Sequence, residues 1–244
     1  MADIIELKNV HFSAQEGKVI NDVSIAFEAS KATAIVGPSG CGKSTVLKLS
    51  AGLLVPDQGE VLYKERNIAQ MTRSENLRFR RDAAFVFQDS ALWENQELFK
   101  ILELPLKIHF PEMRKKERAD RIREVAAKVG YKKDLNIRPA RLSMGEQKLI
   151  GFARAMICNP SLWFLDEWTE SLDDYAADRL IDIIRRQRME GSSIIFVSHD
   201  MRIIMDLADF IVVIVDGMVR VKAPKDQIIS DLLLNDFIKI GIAS

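Results

Sequence analysis

Apolar and polar positions alternate along this chain in two different rhythms. Five strand-like stretches, residues 31–37, 83–88, 161–167, 192–200 and 209–217, are separated by longer segments, and three of the five are apolar almost throughout. Runs of that kind suit strands of a parallel sheet covered on both faces. A helical pattern follows the first of them over residues 43–54. Strands alternating with helices predict an α/β fold with right-handed crossovers. The first part of the chain reads differently. Residues 4–12 and 19–27 partly alternate apolar with polar, as half-buried antiparallel strands do. Pro56, Asp57, Gln58 and Gly59 predict a turn, and residues 60–63 another short strand. Between about Gln88 and Pro160 no strand pattern appears. There Ile122, Val125, Ala126 and Val129 recur at helical spacing, and the basic residues Arg114, Lys115, Lys116 and Arg118 read as a solvated helix face. The prediction is a sheet-based core with a helical insertion near the middle of the chain.

Composition narrows the class. With 244 residues, 48% hydrophobic and 29% charged, the chain has globular composition and material for a large core. Lys plus Arg total 35 and Asp plus Glu total 35, a net charge of zero, which argues against a general nucleic-acid binder. The longest apolar run, Phe210–Val215, is too short to cross a bilayer, and the N-terminal residues lack the basic-then-apolar pattern of a signal peptide. Two cysteines do not make a disulfide framework at this length, so a reducing compartment is expected. The expectation is a soluble, cytoplasmic protein whose membrane role, if it has one, comes through a partner.

Three segments carry chemistry. Gly37, Pro38, Ser39, Gly40, Cys41, Gly42, Lys43 and Ser44 match the phosphate-loop pattern G-x-x-x-x-G-K-[ST]. The pattern alone arises by chance in about one chain of this length per hundred, so context decides. An apolar strand enters the loop and a helix leaves it, which is the arrangement the mechanism needs. Glycines let backbone N–H groups converge on phosphates, and the helix N-terminus adds a positive dipole end. Lys43 is then expected to reach the β- and γ-phosphates and the Ser44 hydroxyl to ligate Mg²⁺; Cys41 is expected to serve only as a small residue. Second, the strand at 162–165 ends in Asp166 and Glu167, delivering two carboxylates to the edge where open α/β sheets bind ligands. Asp166 suits the Mg²⁺ environment and Glu167 is placed to take a proton from attacking water. Third, Ser143 with Glu146 three residues on is a capping box, starting a helix that runs towards Cys158.

In order, the phosphate loop, Gln88 after its strand, the segment Leu142-Ser143-Met144-Gly145-Glu146, the acidic strand, Ser171-Leu172-Asp173 and His199 resemble the motif set of the ATP-binding-cassette (ABC) ATPases, whose signature is usually L-S-G-G-Q. The resemblance spans nearly the whole chain. It implies a P-loop NTPase fold with a RecA-like, mostly parallel core sheet, a small antiparallel β-subdomain and an inserted helical subdomain. The domain would run over residues 1–224, with the helical subdomain at about 89–159 and a C-terminal helical tail at 225–244. By motif, Phe12 would stack on adenine; the loop residues and Thr45 would bind the nucleotide; Ser44, Gln88 and Asp166 would hold Mg²⁺. Gln88 would also touch the attacking water, Glu167 would be the general base, and His199 would contact the γ-phosphate. In this family two cassettes pack head to tail, each ATP lying between one phosphate loop and the partner's signature, here Ser143, Gly145 and Glu146. A capped helix N-terminus with Ser143 and Gly145 offers donors to a γ-phosphate. One set of motifs per chain implies a homodimer or a second ATPase subunit.

Three positions depart from the family pattern: Met144 replaces the first signature glycine, Glu146 the glutamine, and Trp168 the proline after the acidic pair. None removes a catalytic group, so ATPase activity is expected. The stretch from Met71 through Phe87, Asp89, Ser90, Ala91, Leu92 and Trp93 to Leu104, Pro105 and Leu106 resembles the ATPases of Mla/Mce-type phospholipid-transport systems. That implies integral membrane permease subunits as partners, a lipid-binding MCE-type protein beside them, no nucleic acid, and a peripheral position on the cytoplasmic face of the inner membrane. The segment after Gln88 would dock the permease, with Trp93 and Phe99 as anchors. The alternatives are an importer ATPase for another solute, a lipoprotein-release ATPase, or a DNA-repair or chromosome ATPase. The last normally inserts long coiled coils, and no sustained heptad tract occurs here.

Overall fold

The computed structural model describes residues 2–14 and 17–230. Two long strands, β1 (Asp3–Ala14) and β2 (Gly17–Glu28), pair antiparallel; β2 alternates buried with more exposed positions over much of its length, and β1 only in part, with register shifts between them. β3 (Ala32–Val36), buried at all five residues, leads into α1 (Lys43–Ser50). β4 (Gln58–Tyr63) and β5 (Arg66–Asn67) return to β1, completing a four-stranded antiparallel sheet in the order β2-β1-β4-β5. Then come α2 (Arg73–Asp82), β6 (Ala83–Val86), and three helices in succession: α3 (Leu98–His109), α4 (Lys115–Lys128) and α5 (Met144–Met156). β7 (Leu162–Asp166), α6 (Asp174–Met189), β8 (Ser193–Val197), α7 (Met201–Leu207), β9 (Phe210–Val215), β10 (Met218–Pro224) and α8 (Lys225–Ser230) follow. Of the tail expected at 225–244, residues 231–244 lie outside the described residues.

The second sheet has the order β10-β9-β3-β8-β7-β6, parallel except for the β10–β9 pair. Strand alternation splits its side chains between two cores. Trp163, Leu165, Ile194 and Phe196 face the core that includes α3, α4, α5 and α6. Leu162, Phe164, Ile195 and Val197 face the other, shared with α1, β1 and β2. Both faces being covered explains why these strands read as continuous apolar runs.

Two expected boundaries move. The helix expected over residues 43–54 stops at Ser50, because Gly52 takes φ 59 and its N–H and that of Leu53 close back onto the carbonyls of Leu49 and Lys48 at 2.9 Å each. This is the paired Schellman closure, which only a residue tolerating the left-handed region allows cheaply. β4 begins at Gln58, inside the expected turn.

Candidate nucleotide site

β3 ends against Gly37, where a Cβ would stand 2.0 Å from the carbonyl oxygen of Ile214 on β9, so a side chain has no room there. Gly42, at φ 99, is the N-cap of α1; a Cβ on it would meet Ile20 Cδ1 at 2.7 Å, and no side chain caps the helix. The first amides of α1 are therefore left for a ligand. Lys43 Nζ donates across the loop to the carbonyls of Gly37 (2.8 Å) and Pro38 (2.9 Å). Ser39 and Gly40 are exposed at the tip, and Thr45 is half-buried. Burial pushes the Cys41 thiol up from its ordinary pKa, the wrong direction for a nucleophile.

Strand order assembles the rest. β3, β8, β7 and β6 are parallel neighbours, so the segments after their C-terminal ends share one edge of the sheet. The Ser44 hydroxyl donates to Asp166 Oδ1 at 2.8 Å. Burial pushes the Asp166 carboxyl up, opposed by the Ser44 bond. Glu167 follows with φ 43, a left-handed backbone in a non-glycine residue. Its Oε2 lies 3.0 Å from His199 Nδ1, with the Glu167 side chain 13% exposed and that of His199 63%. Gln88 is exposed, and its Nε2 donates to Glu170 Oε2 at 2.9 Å. Ser44, Lys48, Gln88, Met144, Asp166 and Glu170 line one open cleft of about 440 Å³. Phe12 pairs with Ile20 beside Gly42 and is half-buried against the β-subdomain core.

The α5 N-terminus closes as a reciprocal cap. Ser143 Oγ accepts the Glu146 N–H at 3.3 Å, and Glu146 Oε2 accepts the Ser143 N–H at 2.9 Å. Glu146 Oε1 meets Lys133 Nζ at 2.6 Å. The Lys133 bond and the Ser143 backbone N–H hold its carboxyl below the usual range. A Cβ on Gly145 would sit 3.4 Å from the Ser171 carbonyl oxygen, and Met144 is 70% exposed.

Comparison with known proteins agrees with this arrangement. Residues 20–170 match the family model of the ABC transporter. The chain belongs to the ABC transporter family. It is similar to the nickel import ATP-binding protein NikE of Shigella flexneri serotype 5b, 32% identical over 84% of this chain and 78% of that protein. It is similar also to the L-cystine import ATP-binding protein TcyC of Bacillus subtilis (28%; 93% of each). The intermembrane phospholipid transport system ATP-binding protein MlaF of Haemophilus influenzae is 29% identical over 97% of this chain and 90% of its own. Among solved structures, the dimeric post-hydrolysis state of the ATP-binding cassette MJ0796 bound to ADP and Pi superimposes with a TM-score of 0.83 at 26% identity, covering 90% of this chain and 98% of that one. This chain is thus an ABC ATPase, the ATP-binding subunit of a transporter.

For an ABC cassette, two of the three departures from the family pattern have identifiable local partners. Glu146 pairs with Lys133 and accepts the Ser143 N–H in the cap. Trp168 is fully buried and meets Phe196 edge-on at 5.6 Å, while the Glu170 N–H closes the turn onto the Glu167 carbonyl at 3.2 Å. Of the two expected docking anchors, Trp93 is 46% exposed and Phe99 is half-buried against the helical core. Sequence reasoning passed over Glu170, the partner of Gln88, and Lys148, whose Nζ donates to the Glu167 carbonyl at 2.8 Å. A signal for Lys148 existed, since it stands four residues before Phe152 on the apolar stripe of α5.

Proposed function

We propose that the chain hydrolyses ATP with Mg²⁺ in this cleft, as one half of a head-to-tail homodimer bound to permease subunits on the cytoplasmic face of a membrane, to drive phospholipid transport. What carries the hydrolytic reading is the contact of Glu167 with His199 at the same sheet edge as the Ser44–Asp166 pair. Lys43 and the free amides of α1 bind the phosphates, with Gly37 to Gly42 and Thr45 shaping the loop around them and Phe12 under the adenine. Glu167 accepts the proton of the attacking water. Its 3.0 Å contact with His199 Nδ1 holds the imidazole at the edge where the γ-phosphate would lie. Gln88 orients the water once released from Glu170. Ser143 and Gly145 close over the partner's nucleotide, with Glu146 holding their helix start.

The donor set suits Mg²⁺. One hydroxyl and one carboxylate oxygen stand 2.8 Å apart, and Mg²⁺ keeps most of its ligands as water and phosphate oxygens rather than demanding a protein cage. Ser44 and Asp166 would hold it, joined by Gln88, and it would neutralise charge on the β- and γ-phosphates.

Phospholipid is favoured by similarity to MlaF over 97% of this chain, together with the resemblance of the stretch around Trp93. Trp93 opens onto a surface groove of about 450 Å³ with Gln96, Lys100, Leu104 and Lys107, which suits a permease segment. Among the described residues no helix is long and apolar enough to cross a membrane, so membrane attachment is assigned to those subunits. Import of another solute is the second reading, carried by 32% identity to the nickel ATPase and 28% to the cystine ATPase. The test is to isolate the chain with its membrane subunits in detergent and reconstitute them in vesicles. Lipid exchange that depends on ATP supports the phospholipid reading. ATP turnover coupled to a small solute, with lipid unmoved, overturns it.

A further inference from the structure

Lys148 is an ammonium with only 5% of its surface exposed, on the core-facing stripe of α5. A buried cation is costly unless it is used. Burial pushes its pKa down, while the charges of Glu170, Glu167, Asp166 and Asp89 oppose that shift. Its hydrogen bond goes to a backbone carbonyl, that of Glu167, and not to any of those carboxylates.

That carbonyl matters because Glu167 holds a left-handed backbone, φ 43, that non-glycine residues rarely adopt. Three bonds fix its two peptides. The Glu167 N–H donates to Val197 O at 3.2 Å, anchoring it to β8, and its carbonyl accepts from the Glu170 N–H at 3.2 Å and from Lys148 Nζ at 2.8 Å. The Lys148 bond is the shortest of the three and the one supplied by a side chain. Rotating either peptide would re-aim the side chain that reaches His199. The helix that supplies Lys148 also carries Ser143 and Gly145 at its start and grips the segment after Gln88: Gly151 packs on Ser90, and Arg154 donates to the carbonyls of Ser90 and Ala91.

We propose that Lys148 is a positioning residue for hydrolysis, tying α5 to the Glu167 carbonyl so that the aim of the catalytic carboxylate depends on where the signature helix sits. This rests on Glu167 being the general base. Misplacing a reacting group by about an ångström can cost up to roughly 10²-fold.

The experiment is a double-mutant cycle in the intact protein, using Lys148→Met, Glu167→Gln and the pair, with steady-state kcat and KM from phosphate release and melting temperatures for each. Methionine keeps the length and removes the donor. Expected are a kcat lower by about tenfold or more, a KM for ATP within about twofold, and an unchanged or raised melting temperature. In the Glu167→Gln background the same change should add less than about twofold, because the group it aims is already disabled. Equal losses in both backgrounds, or a normal kcat for Lys148→Met beside an inactive Glu167→Gln, would overturn the positioning role alone. Near-normal hydrolysis by Glu167→Gln would overturn the base assignment beneath it. If the methionine variant does not fold, Lys148→Gln run through the same cycle decides between the same outcomes.

Discussion

Lys43 is the cation of the phosphate loop, and its ammonium already lies across the loop on the carbonyls of Gly37 and Pro38. Phosphoryl transfer depends on positioning and charge stabilisation, so Lys43→Ala should reduce ATP turnover to near background. Turnover within about twofold of the parent protein in a phosphate-release assay would remove the loop from the mechanism. Glu146 offers a test with a definite sign. Its carboxyl is held low chiefly by Lys133, so the pair stabilises the fold above the ordinary carboxylate pKa and loses that contribution as pH falls through the depressed value. Glu146→Gln restores the residue usual in the family, keeps an acceptor for the Ser143 N–H and removes the ion pair. Lys133 is largely exposed, so the loss should be at most about 1 kcal/mol at neutral pH. In thermal melts the gap between parent and variant should close on acidification; a gap that widens would show that the charge opposes folding.

At the scale of elements, α3 and the loop before it separate two side chains that look alike in sequence. Trp93 stands in the surface groove with the Arg154 guanidinium 5.8 Å from its ring centroid, whereas Phe99 is half-buried against the helical core. Trp93→Glu should therefore leave the melting temperature within a degree or two and lose the membrane subunits in a pull-down. Phe99→Glu should lower stability by about 2 kcal/mol or more, since it places a carboxylate against apolar neighbours. Equal stability losses would mean that Trp93 is a core residue, and retained partner binding by Trp93→Glu would move the docking site elsewhere. The α1 boundary makes the same point about legibility. Apolar spacing continues through Leu54, but the left-handed Gly52 ends the helix, and spacing alone does not report a dihedral angle.

For the whole molecule, the six-stranded sheet gathers Lys43, Ser44, Gln88, Asp166, Glu167 and His199, while Ser143 caps α5 and Gly145 at its start faces the Ser171–Leu172 turn. The solved relative MJ0796 is dimeric. Glu167→Gln keeps size and hydrogen bonding but accepts no proton, so ATP binding should survive while turnover falls by about 10²–10⁴-fold. With ATP retained, the variant should shift from monomer towards dimer in light scattering, and less with ADP, which lacks the γ-phosphate. Near-normal hydrolysis would show that Glu167 is not the base; an ATP-independent mass would argue against the sandwich of ATP between two chains.

The sequence by itself determined the chemistry on offer and the fold class. A glycine loop between strand and helix, an acidic strand end and a Ser/Glu cap are local patterns, each complete within a few residues, and local patterns survive in one dimension. Fully apolar strands likewise announced a sheet covered on both faces. Contacts between distant segments were decided only by the tertiary structure. Gln88 meets Glu170 across 82 residues of chain, Ser44 meets Asp166 across 122, and Lys148 meets the Glu167 carbonyl across 19. The same holds for Trp168, which fills the core beside Phe196, and for Phe99, which packs inward where Trp93 does not. Burial and pairing are properties of what the folded chain brings alongside a residue, and strand order, not spacing, sets those neighbours.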